Sequence, residues 1–171
     1  YSYRGSSGAS DINGDGKEEA VVFESKRIAS SATKTLNFYR INNIGANNTI
    51  EFNASLFYTF TTGIDAVVKS GLLDFDGNGL GDVFIYDQET GSLRILYSDI
   101  PNGPTGGSLS DNKEVVLQFN YPGITDLQLM QGCEEFTFFD YDGDKIIDIS
   151  FRGHIFRGEK QRGVFTLQGV A

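Results

Sequence analysis

Asp74-Phe75-Asp76-Gly77-Asn78-Gly79-Leu80-Gly81-Asp82 places oxygen-bearing side chains at its first, third, fifth and ninth positions and a glycine at its sixth. Alternate carboxylates, a backbone carbonyl at the seventh position and a glycine at the sharp bend suit a hard cation: Ca²⁺ takes about 6 to 8 oxygen ligands at roughly 2.3 to 2.6 Å. The same spacing occurs twice more. Asp11, Asn13, Asp15, Gly16 and Glu19 make the first copy, and Asp140, Asp142, Asp144 and Asp148 the third, with Lys145 where the glycine would stand. The seventh-position carbonyls would come from Lys17, Leu80 and Ile146. The copies begin 63 and 66 residues apart, so the chain reads as a single domain of three repeats, at about 1–65, 66–131 and 132–171.

The residues around these loops say what kind of element carries them. An EF-hand needs a bidentate Glu at its twelfth position and a helix on each side. Here the twelfth positions are Val22, Ile85 and Phe151, inside β-branched and aromatic runs, so helices are excluded at the loops. Thr35 to Ile41 alternates with the period of a half-buried strand, and Asp82 to Tyr86, the turn Asp87 to Gly91 and Ser92 to Tyr97 read as a hairpin. Glu51 to Phe60, Glu114 to Phe119, Phe136 to Phe139, Ile147 to Phe151, His154 to Arg157 and Val164 to Leu167 complete the strand-like runs. Gly5 to Ser10, Ser25 to Thr33 and Ser98 to Lys113 read as turns or surface loops. No stretch of ten residues has helical periodicity, which predicts an all-β chain of roughly four strands per repeat. The last repeat reads one strand short, and the N-terminal run Tyr1 to Arg4 could complete it.

Composition narrows the function classes. With 39% hydrophobic and 13% aromatic residues in 171, a sizeable core is expected. The formal charge is -9 and no basic run exists, which argues against nucleic acid and against an anionic membrane surface as partners. Ten of the twelve side chains at the four ligand positions of the loops are carboxylates, more than the whole net charge. One cysteine, Cys133, excludes an internal disulfide and reads as a small core residue. No window is long and apolar enough to be inserted in a membrane. A chain beginning on Tyr1 instead of Met suggests trimming, whether by processing after secretion or by a boundary chosen within a longer protein.

The three loops, each with a ninth-position acid running directly into an apolar strand, resemble the calcium-binding β-propeller repeats of the FG-GAP/VCBS type, found in integrin α-subunit heads and secreted microbial proteins. The resemblance covers the loops and their flanking strands, about half the chain. It implies three propeller-like antiparallel blades holding two to three Ca²⁺ ions mainly for structure. The Phe-Gly and Gly-Ala-Pro signatures of the integrin version are absent. Lys145 at the bend, with its like charge, predicts that the third loop binds more weakly than the first two.

Closed propellers have about 4 to 8 blades. Three blades would leave two edges or two apolar faces unpaired, so the expected protein is an extracellular or cell-surface, calcium-stabilised structural or adhesive one that associates with copies of itself into a ring or filament. A second reading is a carbohydrate- or protein-binding propeller module, a lectin or receptor head, with Tyr58, Tyr97 or Tyr121 as stacking platforms. Asn47 and Asn53 match the N-glycosylation acceptor pattern. His154 stands alone, with no nucleophile motif, P-loop or dinucleotide fingerprint elsewhere, so no enzyme is expected.

Overall fold

A computed structural model describes residues 2–27, 30–43, 52–99, 108–118 and 130–168. Among them the chain is all-β, in three sheets. The first is a meander of β1 (Ser2–Ser10), β2 (Glu19–Arg27), β3 (Thr33–Asn43) and β4 (Phe52–Gly63). The second repeats it with β5 (Val68–Leu73), β6 (Asp82–Asp87), β7 (Ser92–Asp99) and β8 (Ser108–Glu114). The third has β10 (Thr137–Phe139), β11 (Asp148–Phe151), β12 (His154–Gly158) and β13 (Val164–Leu167), and adds β9 (Val116–Gln118) parallel to β13. Each acidic loop joins the first two strands of its sheet. No helix of the described residues is long and apolar enough to cross a membrane.

Four expectations change. The third sheet is not short of a strand, since β1 pairs with β2 and stays in the first sheet. Gly5 to Ser10 is strand rather than turn, with a bulge between Ser6 and Gly8, where Gly8 takes a φ of 120° that L side chains rarely adopt. Ser108 to Lys113 is β8, whose polar residues belong to an edge strand. β9, in the second repeat by position, crosses to the third sheet: Val115 N–H donates to Leu93 O on β7 and the next residue's, Val116, to Gly163 O.

Strand alternation packs the sheets face to face. Val83, Ile85 and Leu96 of the second sheet meet Ile12, Val21, Leu36 and Phe38 of the first. The opposite residues, Tyr86, Leu93, Ile95 and Tyr97, join Ile149, Phe151, Phe156 and Phe165 of the third. Cys133 is buried in this second cluster, as its sequence reading has it. A rosette of Phe75, Phe84, Phe136 and Phe138, with centroids 4.9 to 6.3 Å apart, lies within it. Truncating a ring such as Phe75 would cost about 3 to 5 kcal/mol. The third sheet's far face is different. Ser150 pairs with Ile155 and Arg157 with Thr166 there, and Arg157 is exposed. Val164 and Val116 pair on this same face, so it mixes apolar and polar residues, where two unpaired edges or two apolar faces were expected.

Candidate metal centres

The three loops share one hydrogen-bond scaffold. The first-position carboxylate of each caps two amides: Asp11 accepts from Gly14 and Gly16, Asp74 from Asn78 and Gly79, Asp140 from Gly143 and Lys145, at 2.7 to 3.1 Å. The third-position oxygen accepts from the fifth-position amide, and the fifth from the seventh: Asn13, Asp76 and Asp142 from Asp15, Asn78 and Asp144, which in turn accept from Lys17, Leu80 and Ile146. These bonds bend the chain so that alternate side chains face one centre. The bend takes positive φ at the sixth position: 81° at Gly16, 87° at Gly79 and 73° at Lys145. Lys145 adopts the left-handed conformation that its position demands, at a cost a glycine would not carry.

The ninth-position acid is the buried anchor. Glu19, Asp82 and Asp148 are 3%, 0% and 1% exposed. Each accepts the second-position amide, from Ile12 at 3.0 Å, Phe75 at 2.7 Å and Tyr141 at 2.7 Å. The other oxygen of Asp82 accepts from Ser98 on β7, and that of Asp148 from Gly158 on β12, both at 2.8 Å, so the acid also fixes the third strand of its sheet. Glu19, one methylene longer, meets the Asn13 amide at 3.1 Å instead.

The loops separate on charge. Asp74, Asp76 and Asp82 bring carboxylate oxygens within 4.8 Å of one another, as do Asp140, Asp142 and Asp148. These two groups could hold a metal ion. In the first loop the third position is Asn13, an amide in place of a carboxylate, and its Nδ2 donates to Asp15 Oδ2 (3.4 Å) and Glu19 Oε1. Asp144 stands outside its group, drawn to Arg157 at 3.2 Å, and the Ile146 amide with Arg157 holds it below the usual carboxylate range. Asn78 keeps its carbonyl in the loop and donates Nδ2 to Ser98 O at 2.8 Å.

Burial pushes Asp82 up to about 7, against the Ser98 and Phe75 amides, with Asp76 and Asp74 adding repulsion. Burial also raises Glu19 and Asp148. An oxygen-only donor set with a buried carboxylate pressed by two others is the electrostatic demand that a hard divalent cation answers.

Two arginines, not singled out from the sequence, complete the electrostatics. Arg162, in the β12–β13 turn, clamps Asp76 of the second loop and Asp99 at the end of β7 at 2.6 to 2.9 Å, and lies 4.8 Å above the Tyr97 ring. Arg157 pairs with Asp142 at 2.7 Å. Arg162 and Asp76 are 86 residues apart, so no local spacing announces them.

The other singled-out residues are less convergent. Tyr97 is buried, with its hydroxyl accepting from Gly163 N–H, and Tyr58 is half-buried, so neither is an open stacking platform. Tyr121 and Asn47 lie outside the described residues. Asn53 falls within β4, in register with Asn42. His154 is exposed at the start of β12. The sequence matches no family model and no curated protein, and no solved structure matches it.

Proposed function

We propose that this chain is an extracellular structural or adhesive protein whose three propeller-like blades are braced by Ca²⁺ and which associates with its own copies. The observation that carries the metal reading is the buried Asp82 carboxylate beside Asp74 and Asp76, on a scaffold repeated in all three loops. Asp74, Asp76, Asn78 and Asp82 would hold the ion of the second loop, with the Leu80 carbonyl, and Asp140, Asp142, Asp144, Asp148 and the Ile146 carbonyl that of the third. The first loop would bind after its Asn13 amide turns its oxygen inward. The ion would neutralise charge; the chain's own amides supply the positioning. Blade character is supported by loop-to-loop bonds between sheets, Gly81 N–H to Asp11 O and Ile147 N–H to Phe75 O. Calorimetric titration with Ca²⁺ tests the reading: saturable binding at two or three sites supports it, and no binding ends it.

Self-association is the weaker half of the reading and rests on the small number of blades and the edges they leave. Light scattering of the full chain in calcium tests it separately. A monodisperse monomer would remove the adhesive or structural role while leaving the metal sites standing.

A further inference from the structure

One junction joins the sheets twice. The second residue of an acidic loop is a knob in the core shared with the next sheet: Ile12 clusters with Val83, Ile85 and Leu96, and Phe75 with Ile149, Phe151 and Phe156. The receiving side chains stand in the same register each time, Val83 opposite Leu96 and Ile149 opposite Phe156. An amide at the eighth position of the later loop closes the junction, from Gly81 to Asp11 O and from Ile147 to Phe75 O.

Each end of this series carries one half of the junction without its mate among the described residues. At the third loop the knob is Tyr141, 54% exposed and edge-on to Phe139 at 6.1 Å. In the first sheet the receiving positions are Ala20 opposite Ile41 and, two residues on, Val22 opposite Tyr39. Val21 and Phe38 of the same strands turn toward the second sheet, so strand alternation sets these four on the opposite face. They are only half-buried, whereas Val83, Leu96, Ile149 and Phe156 are at most 3% exposed.

We propose that the two ends mate between copies: Tyr141 of one chain docks on the Ala20, Val22 and Ile41 face of a second. The Glu18 amide of that second copy, the eighth of its loop, then meets the Asp140 or Tyr141 carbonyl of the first. The proposal rests on the self-association proposed above and gives it a surface. A second copy fits because the contact continues one that the chain already makes within itself twice. Its halves are different surfaces, so neither has to complement itself. The loops have room to meet: a Cβ on Gly77 would stand 2.8 Å from Lys145 O, the fourth position of one loop against the sixth of the next. Between copies the corresponding positions are Gly143 and Gly16, and a Cβ on either would meet nothing described within 4 Å. Like charge is no bar, since acidic loops already adjoin at both internal junctions. Two copies of three blades reach the range of about 4 to 8 in which propellers close.

The test is sedimentation velocity on the full chain in calcium with two variants: Tyr141→Ser removes the knob, and Val22→Lys puts a charge on the receiving face. Loss of an aromatic anchor at such a contact weakens it by roughly thirtyfold or more. A wild type that associates, variants that are each monomeric alone, and dimers in their equimolar mixture support the proposal, because the mixture keeps one intact knob and one intact receiving face. Variants that associate like wild type, or a mixture that stays monomeric, overturn the junction and leave self-association standing; a monomeric wild type overturns both. Circular dichroism and melting check that the variants fold. If Val22→Lys does not, nitration of Tyr141 in wild type, mapped by mass spectrometry, decides: it slows as protein concentration rises, and a concentration-independent rate contradicts the junction.

Discussion

The amide of Gly81 donates to the carbonyl oxygen of Asp11 across 2.8 Å, joining the eighth position of the second acidic loop to the first position of the first loop. A Cβ on Gly81 would stand 2.4 Å from Ser10 Cβ, so only glycine lets the two loops come this close. The Ile147 amide repeats the link to Phe75 O at 3.1 Å. Ordering one loop therefore orders its neighbour, and Gly81→Ala is expected to lower the melting temperature by pushing the first two sheets apart, with a cost of about 1 to 3 kcal/mol in chemical denaturation.

Asp82→Asn keeps the shape of the buried anchor but points an amide NH₂ at one of two N–H donors, Phe75 or Ser98. The expected result is loss of one calcium site by calorimetry and a metal-free protein destabilised by about 1 to 3 kcal/mol.

Metal-free stability should fall as pH rises. Asp82 holds its proton to about pH 7 when folded and, from its ordinary value of 3.8, releases it far earlier when unfolded. A raised folded-state value contributes stability that is whole below 3.8 and lost as pH climbs through about 7, on the order of 4 kcal/mol at most. Urea melts in EDTA at pH 5 and pH 8 check the sign. Calcium requires the carboxylate, so its affinity at the second loop should rise across the same window.

Arg162→Gln removes the clamp on Asp76 and Asp99 and the contact with Tyr97. A destabilisation of about 1 to 3 kcal/mol is expected, and Arg162→Lys should recover less than half, since an ammonium lacks the planar fork that spans both carboxylates. Denaturant midpoints of the three proteins measure it.

Lys145→Gly relieves a positive φ of 73° and removes a cation from the third loop. It should stabilise the protein by about 0.5 to 1 kcal/mol and tighten calcium there. Equal calorimetric affinity in both proteins would contradict the charge argument.

The loops and the strands that leave them were legible because their chemistry is local: Asp74 to Asp82 writes its own turn, and Thr35 to Ile41 shows which face is buried. Gly5 to Ser10 and Ser108 to Lys113 were not, because one is a glycine- and serine-rich strand and the other a polar edge strand, and neither has apolar alternation. The crossing of β9 to the third sheet and the reach of Arg162 to Asp76 depend on how sheets stack, which residue spacing does not encode. Tyr141 shows the same limit. Its counterparts Ile12 and Phe75 are 0% and 2% exposed under the next sheet, whereas Tyr141, with no described sheet beyond it, is 54% exposed.

Thermal unfolding of the full chain in calcium and in EDTA bears most directly on the ion-braced sheets. A ligand that binds only the folded state at about 100 times its dissociation constant adds about 2.7 kcal/mol, which for a chain of this size is a rise of roughly 5 to 10 °C in calcium over EDTA. Superimposable melts in the two buffers would contradict it.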